Sequence, residues 1–210
     1  MRESSFKVPD LKSGSEHVNE IIIKRSRFIT TLGHTRGMEE CKDFIARVSS
    51  RYSDANHNCF AFNGDKPGST AVCGCSDDGE PHGTAGQPML NVVLHCGVGE
   101  LTAVVTRYFG GILLGIGGLV KAYQDSVKEA LATLPVCERV IPAFLKLSFE
   151  HRHVTVFMRL LNELKGEVVN SAFDEKAHYE VMLPEGAVTA FTGRFTETVR
   201  GQLTLERVRK

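Results

Sequence analysis

The sequence predicts an α+β chain of two domains, residues 1–136 and residues 137–210. Three observations carry this. Short runs rich in β-branched and aromatic residues alternate with stretches of helical period throughout. Pro135 and Pro142 punctuate the chain after a long helical stretch. Beyond them the pattern settles into the order βαββαβ, the ferredoxin-like or split-βαβ arrangement.

In the first domain, residues 16–23, with Val18, Ile21, Ile22 and Ile23, read as a strand, and Arg27 to Leu32 as a second. Met38, Cys41, Phe44, Ile45 and Val48 follow helical spacing, which gives a helix over 38–48 with one buried face. Residues 57–62 read as a third strand, ending in the turn-rich segment 63–68. Residues 74–86 contain Gly74, Gly79, Pro81, Gly83 and Gly86, too many breakers for a strand or helix interior, so they read as a structured loop. Pro88 marks the start of a helix to about His95, closed by Gly97 and Gly99. Leu101 to Phe109 is a strand; it runs into a glycine-rich loop, 110–118, and then a helix over about 119–134. In the second domain the expected elements are strand 143–150, helix 153–164, strands 166–173 and 177–183, helix 186–198 and strand 201–207.

Composition narrows the function classes. At 42% apolar and 24% charged residues, the 210-residue chain carries enough apolar side chains for a core and is not of the disordered type. Lys plus Arg equals Asp plus Glu, 25 of each, so there is no basic excess of the kind that bulk nucleic-acid binding uses. No run approaches the roughly 18 apolar residues of a membrane helix, and no secretory signal is visible at the start. The six cysteines then read as reduced thiols of a cytoplasmic protein.

Two segments concentrate the unusual chemistry. Gly110 to Gly118 fits neither nucleotide-loop pattern: Ile116 stands where a Walker loop needs lysine, and Val120 where the dinucleotide fingerprint needs its last glycine. A glycine-rich turn between strand and helix still offers backbone N–H groups and a positive helix end to an anion, with Lys121 adding charge. Equally, the glycines can serve only a tight turn and close packing. In the second segment, Asp77, Asp78 and Glu80 are candidates for metal binding or acid–base work. Asp78 and Glu80 share one side if the chain is extended, with Arg107, Lys24, Arg25 and Arg27 as counter-charges. Taken singly, each carboxylate is explained as a cap of loop N–H groups or of the following helix. The whole run from Ser76 to Gly86 is a functional signature, because a plain surface loop does not need so many special backbone positions. No cysteine pair has zinc spacing, and no thiol is marked as an activated nucleophile. In the second domain, Phe149, Phe173 and Tyr179 are either core residues or an RNA-stacking surface.

The residues Lys24-Arg25-Ser26-Arg27-Phe28-Ile29, Asp54 to Cys59, Ser76 to Pro81 with Gly83 to Gly86, and Val105 to Gly111 with Gly115, Gly117, Gly118 and Leu119 together resemble the IMPACT family. In length and layout the chain is similar to the bacterial members. The resemblance implies a first domain of the type seen in the second domain of a small-subunit ribosomal protein. It implies a second domain similar to the last domain of elongation factor G. It also implies a link to translation, since eukaryotic relatives oppose activation of a stress kinase by competing for that kinase's activating partner.

The expectation is therefore a regulatory binding protein linked to translation or the ribosome, without a cofactor or metal. Its site residues are Arg27, His57, Asp77, Asp78, Glu80, Thr84, Arg107, Tyr108, Gly110, Gly111 and Lys121. Two alternatives remain open. One is an enzyme or sensor that binds a small anionic, phosphorylated or nucleotide-like ligand at the 76–86 and 107–118 loops. The other is RNA binding through the second domain.

Overall fold

The computed structural model describes residues 5–12, 14–200 and 203–208. The chain divides into two compact units, Phe6–Glu138 and the residues from Arg139 on together with Ser5. The first unit contains β1 (Ser5–Pro9), β2 (His17–Ile23), β3 (Ser26–His34), α1 (Gly37–Arg51), β4 (His57–Asn63), β5 (Cys73–Ser76), α2 (Gly86–His95), β6 (Leu101–Tyr108) and α3 (Ile116–Ala132). The division falls within β7 (Val136–Val140), which pairs with β1.

The five-stranded sheet has the order β2-β3-β6-β4-β5, with every neighbouring pair antiparallel. Because side chains alternate along a strand, its register sorts residues into two faces. Phe28, Arg107 and His57 lie in one row across β3, β6 and β4; Leu32, Ala103 and Ala61 lie in another row on the same face. That face packs under α2 and α3 through Met89, Val93, Leu119, Tyr123 and Val127. The opposite face takes α1, whose Phe44 and Val48 pack on Val104. Fully burying each of these side chains contributes about 1.5–3 kcal/mol, which makes α1 a cover held by few large contacts. Met38, expected on the buried side of this helix, is 41% exposed.

The second unit contains β8 (Pro142–Phe149), α4 (Val154–Glu163), β9 (Glu167–Phe173), β10 (Ala177–Pro184), α5 (Val188–Thr198) and β11 (Thr204–Val208). Its sheet order β11-β8-β10-β9, antiparallel throughout, is the split-βαβ arrangement. Alternation along β8 and β10 places Leu145, Leu147, Phe149, Tyr179 and Val181 under Phe157, Leu161, Phe191 and Phe195 of the two helices. Phe149 and Tyr179 are thus core residues, while Phe173 is 59% exposed on the edge strand β9. Residues 201 and 202, at the start of the expected last strand, lie outside the described residues.

Three strands depart from expectation. Residues 74–76, read as the start of a loop, belong to β5 (Cys73–Ser76), which pairs with β4. Gly74 is tolerated there because the Phe62 ring occupies the place of a side chain: a Cβ would lie 2.8 Å from it. The strands β1 and β7 are short, and three of the five residues of β1 and all five of β7 are exposed or half-buried, so neither has a clear alternating pattern. In addition, α2 begins at Gly86 and α3 at Ile116, each earlier than the apolar periodicity places them.

Candidate functional site

The hairpin joining β2 to β3 turns on Lys24 and Arg25, with φ of 46° and 67°. Positive φ at both central positions is the geometry of a tight turn that usually takes glycine or asparagine. Gly110, at the end of β6, lies against this turn so closely that a Cβ would come within 2.1 Å of the Arg25 carbonyl carbon. The Gly110 N–H also donates to Ser26 Oγ at 3.2 Å. The turn and the Arg107-to-Gly111 segment are thereby fixed to one another through backbone.

The acidic segment is held by a different set of bonds. Asp77 accepts from the N–H groups of Gly83 (2.8 Å), Ala85 (3.0 Å) and Gly86 (2.8 Å), and so caps α2 from outside the helix. Burial pushes its carboxyl up, but the three donors outweigh that and hold it below the usual carboxylate range. Asp78, in left-handed geometry at φ 42°, accepts the Asn58 N–H at 2.6 Å on its side chain. Its carbonyl pairs with His57 Nδ1 at 2.8 Å, which fixes Nδ1 as the donor. Thr84 closes a turn by donating to the Pro81 carbonyl at 2.6 Å.

Glu80 is the carboxylate that turns inward. One of its oxygens receives Arg107 Nη1 at 2.5 Å and the Tyr123 hydroxyl at 2.8 Å, with His57 Nε2 3.9 Å away. The Cys59 thiol donates to the Asp77 carbonyl at 2.9 Å and also lies 3.4 Å from the Tyr123 oxygen. Burial raises the Cys59 thiol to about 12 and raises the Tyr123 phenol as well, so both stay protonated donors at neutral pH. The Arg107 guanidinium, in a side chain 6% exposed, sits over the rings of Phe28 at 5.5 Å and Phe109 at 5.6 Å.

Above this network lies a groove of about 430 Å³, within the range of small-ligand sites. Arg107, Glu80 and His57 form its polar base; Phe109, Leu113, Leu114, Ile116 and Leu119 form its walls. Leu113 and Ile116 are 82% and 71% exposed, so the rim is apolar and uncovered.

The expected site residues therefore fall into separate groups. His57, Glu80 and Arg107 meet in the groove, whereas Asp77, Asp78 and Thr84 support it from behind. Gly110 fixes its strand end and Gly111, with φ 82°, begins its loop. Arg27 and Tyr108 point to the opposite face of the sheet, because they neighbour Phe28 and Arg107 in an alternating strand. There Arg27 pairs with Glu20 at 3.0 Å and lies over the Tyr108 ring, whose hydroxyl donates to Asp54 at 2.9 Å. Lys121 is exposed and does not line the groove. Tyr123 carried no site signal in the sequence, since a residue at apolar helical spacing reads as core; Leu113 and Ile116 were marked only as part of the 107–118 loop, not as wall residues. Among the described residues no cluster of three His, Cys, Asp or Glu side chains is placed to hold a metal ion. Among the same residues no helix is long and apolar enough to cross a membrane.

Residues 24–131, which contain the whole groove, match the family model described as the Impact N-terminal domain. The chain belongs to the IMPACT family. This IMPACT chain is similar to IMPACT family member YigZ of Escherichia coli (strain K12), at 43% identity over 183 residues, 87% of this chain and 90% of that protein. It is also similar to IMPACT family member YvyE of Bacillus subtilis (strain 168), at 35% identity over 192 residues, 91% of this chain and 87% of that protein. A solved crystal structure of a hypothetical protein is 39% identical, covers 99% of both chains and superposes with a TM-score of 0.68. The likeness to the IMPACT relatives therefore extends beyond the matched domain into the second unit.

Proposed function

We propose that this IMPACT family member is a regulatory binding protein of translation that engages a protein partner through the groove of its first unit. The supporting observation is the contrast between the groove's base and its rim. The carboxylates of the acidic loop are engaged within the protein, by backbone N–H groups, Arg107 and Tyr123. The large apolar side chains Leu113 and Ile116 stand exposed above them. Exposed apolar residues grouped around a concave site are the usual mark of a partner surface.

RNA binding through the second unit has less support. The uncovered side of that sheet places Lys146 and His178 beside Glu180 and Glu206, and Lys146 is paired with Glu180 at 2.8 Å. Such a face lacks the basic excess that phosphate contacts require.

The test is affinity capture from bacterial lysate, together with co-sedimentation with ribosomes, using the full chain and a Leu113→Asp variant. Leu113 is too exposed for this change to disturb the core. Ribosomal or translation components should be retained by the wild type and reduced about tenfold or more by the variant. Retention by neither protein removes the translation reading; equal retention by both removes the groove from it.

A further inference from the structure

We infer that the groove receives the C-terminal carboxylate of a partner chain whose last side chain is apolar. This rests on the groove being a partner site and goes further by naming the group it reads.

The first observation is Arg107. Its residue is only 5% exposed, yet its Nε has no hydrogen-bond partner, and of its terminal nitrogens Nη1 carries the bond to Glu80. A nearly buried guanidinium whose Nε has no acceptor, in a residue that lines an open groove, is an incomplete site, because leaving such a donor without an acceptor is costly.

The second observation is the start of α3. Gly115 and Ile116 line the groove with Leu119, so the first turn of a 17-residue helix borders it. No side chain caps that turn. Uncapped N–H groups at the positive end of a helix favour an anion. The Asn56 side chain adds another amide at the groove wall, its oxygen already accepting the Phe109 N–H at 2.7 Å.

The third observation is what surrounds these donors. Phe109, Leu113, Leu114, Ile116 and Leu119 make the surroundings of these donors mainly apolar, a surface that a bare phosphate does not use. The one carboxylate at the base, Glu80, is held by Arg107 and Tyr123. An anion carried directly on an apolar stem matches both halves of the groove. The terminal residue of a polypeptide has this form: its carboxylate is one carbon away from its side chain. An internal residue offers only a neutral amide at that place, and capture of chain termini by backbone N–H groups is a known mode of recognition. The exposed rim beyond the base gives the preceding residues of such a chain an apolar surface.

The test is fluorescence anisotropy with the full chain and a labelled peptide ending in Ser-Gly-Val-Leu, as the free acid and as the C-terminal amide. The free acid is expected to bind about tenfold more tightly, the effect of one charge-assisted contact. Ile116→Asp places a carboxylate at the first turn of α3, where it favours the helix and repels the ligand. It should abolish the preference for the acid, whereas Ile116→Ala should weaken both peptides and keep it. Equal binding of acid and amide, unchanged binding by Ile116→Asp, or no binding up to about 1 mM would each overturn the inference. So would octanoate binding at least as tightly as the peptide, which assigns the groove to small acids. If ribosome co-sedimentation survives these results and still responds to Leu113→Asp, the translation reading stands and only the carboxylate assignment falls.

Discussion

Asp77 shows how one side chain can organise a loop without touching a ligand. Its two oxygens collect N–H groups from Gly83, Ala85 and Gly86, so the 76–86 segment closes on itself and α2 starts from a fixed point. Replacing it with alanine should lower stability by about 1–2 kcal/mol at neutral pH, the range for losing a helix cap. The folded carboxyl is held below its ordinary value, so its contribution is complete above about pH 4 and is lost as pH falls through the lower folded value. Urea denaturation of wild type and Asp77→Ala should therefore show curves that differ at pH 7 and converge toward strong acid. A constant gap across that range would mean that the carboxylate charge is not what stabilises the loop. Glu80 is the contrasting case. It was legible in the sequence only as one carboxylate among three, because its partners Arg107 and Tyr123 come from 27 and 43 residues away. Sequence spacing carries no information about such pairs until the strand register is known.

At the level of elements, the site depends on a contact between two turns. Gly110 rests on the backbone of the Lys24–Arg25 hairpin, and a Cβ there would have to displace main chain rather than a flexible side-chain end. Gly110→Ala is expected to cost about 1–3 kcal/mol, as overpacking does, and to weaken partner capture by shifting the strand end that carries Arg107. Chemical denaturation and the capture assay read the two effects; unchanged values in both would show that the turns are not coupled. The long strands and helices were legible, since β6 and α1 lie within a few residues of their expected spans. Arg27, from the Lys24–Ile29 motif, and Tyr108, from the motif of Arg107, are expected at the same site, but alternation along β3 and β6 sends them to the other face. The short strand β5 was hidden by Gly74, whose presence depends on the Phe62 ring of a neighbouring strand.

Across the whole molecule, the two units have separate cores. One is built around Phe28, Tyr123 and Val127, the other around Phe149, Phe157 and Phe195. Phe157→Ala should destabilise the second core by about 3–5 kcal/mol. In calorimetry this is expected to lower one melting transition and leave another in place, so a single unfolding free energy would not describe the chain. The C-terminal-carboxylate peptide should bind this variant as it binds the wild type, because every groove residue belongs to the first unit. A single transition that moves as a whole would mean the cores unfold together.

The Tyr123–Glu80 hydrogen bond also puts one of the chain's fluorophores at the base of the site. The chain contains no tryptophan and four tyrosines, so its near-ultraviolet emission comes from tyrosine alone. A carboxylate that accepts a hydrogen bond from a phenol quenches that emission, which makes Tyr123 a dim reporter at the base of the groove. An occupant that draws Arg107 toward itself weakens its pairing with Glu80 and so alters how strongly Glu80 quenches Tyr123. Binding can then be followed on the unlabelled protein.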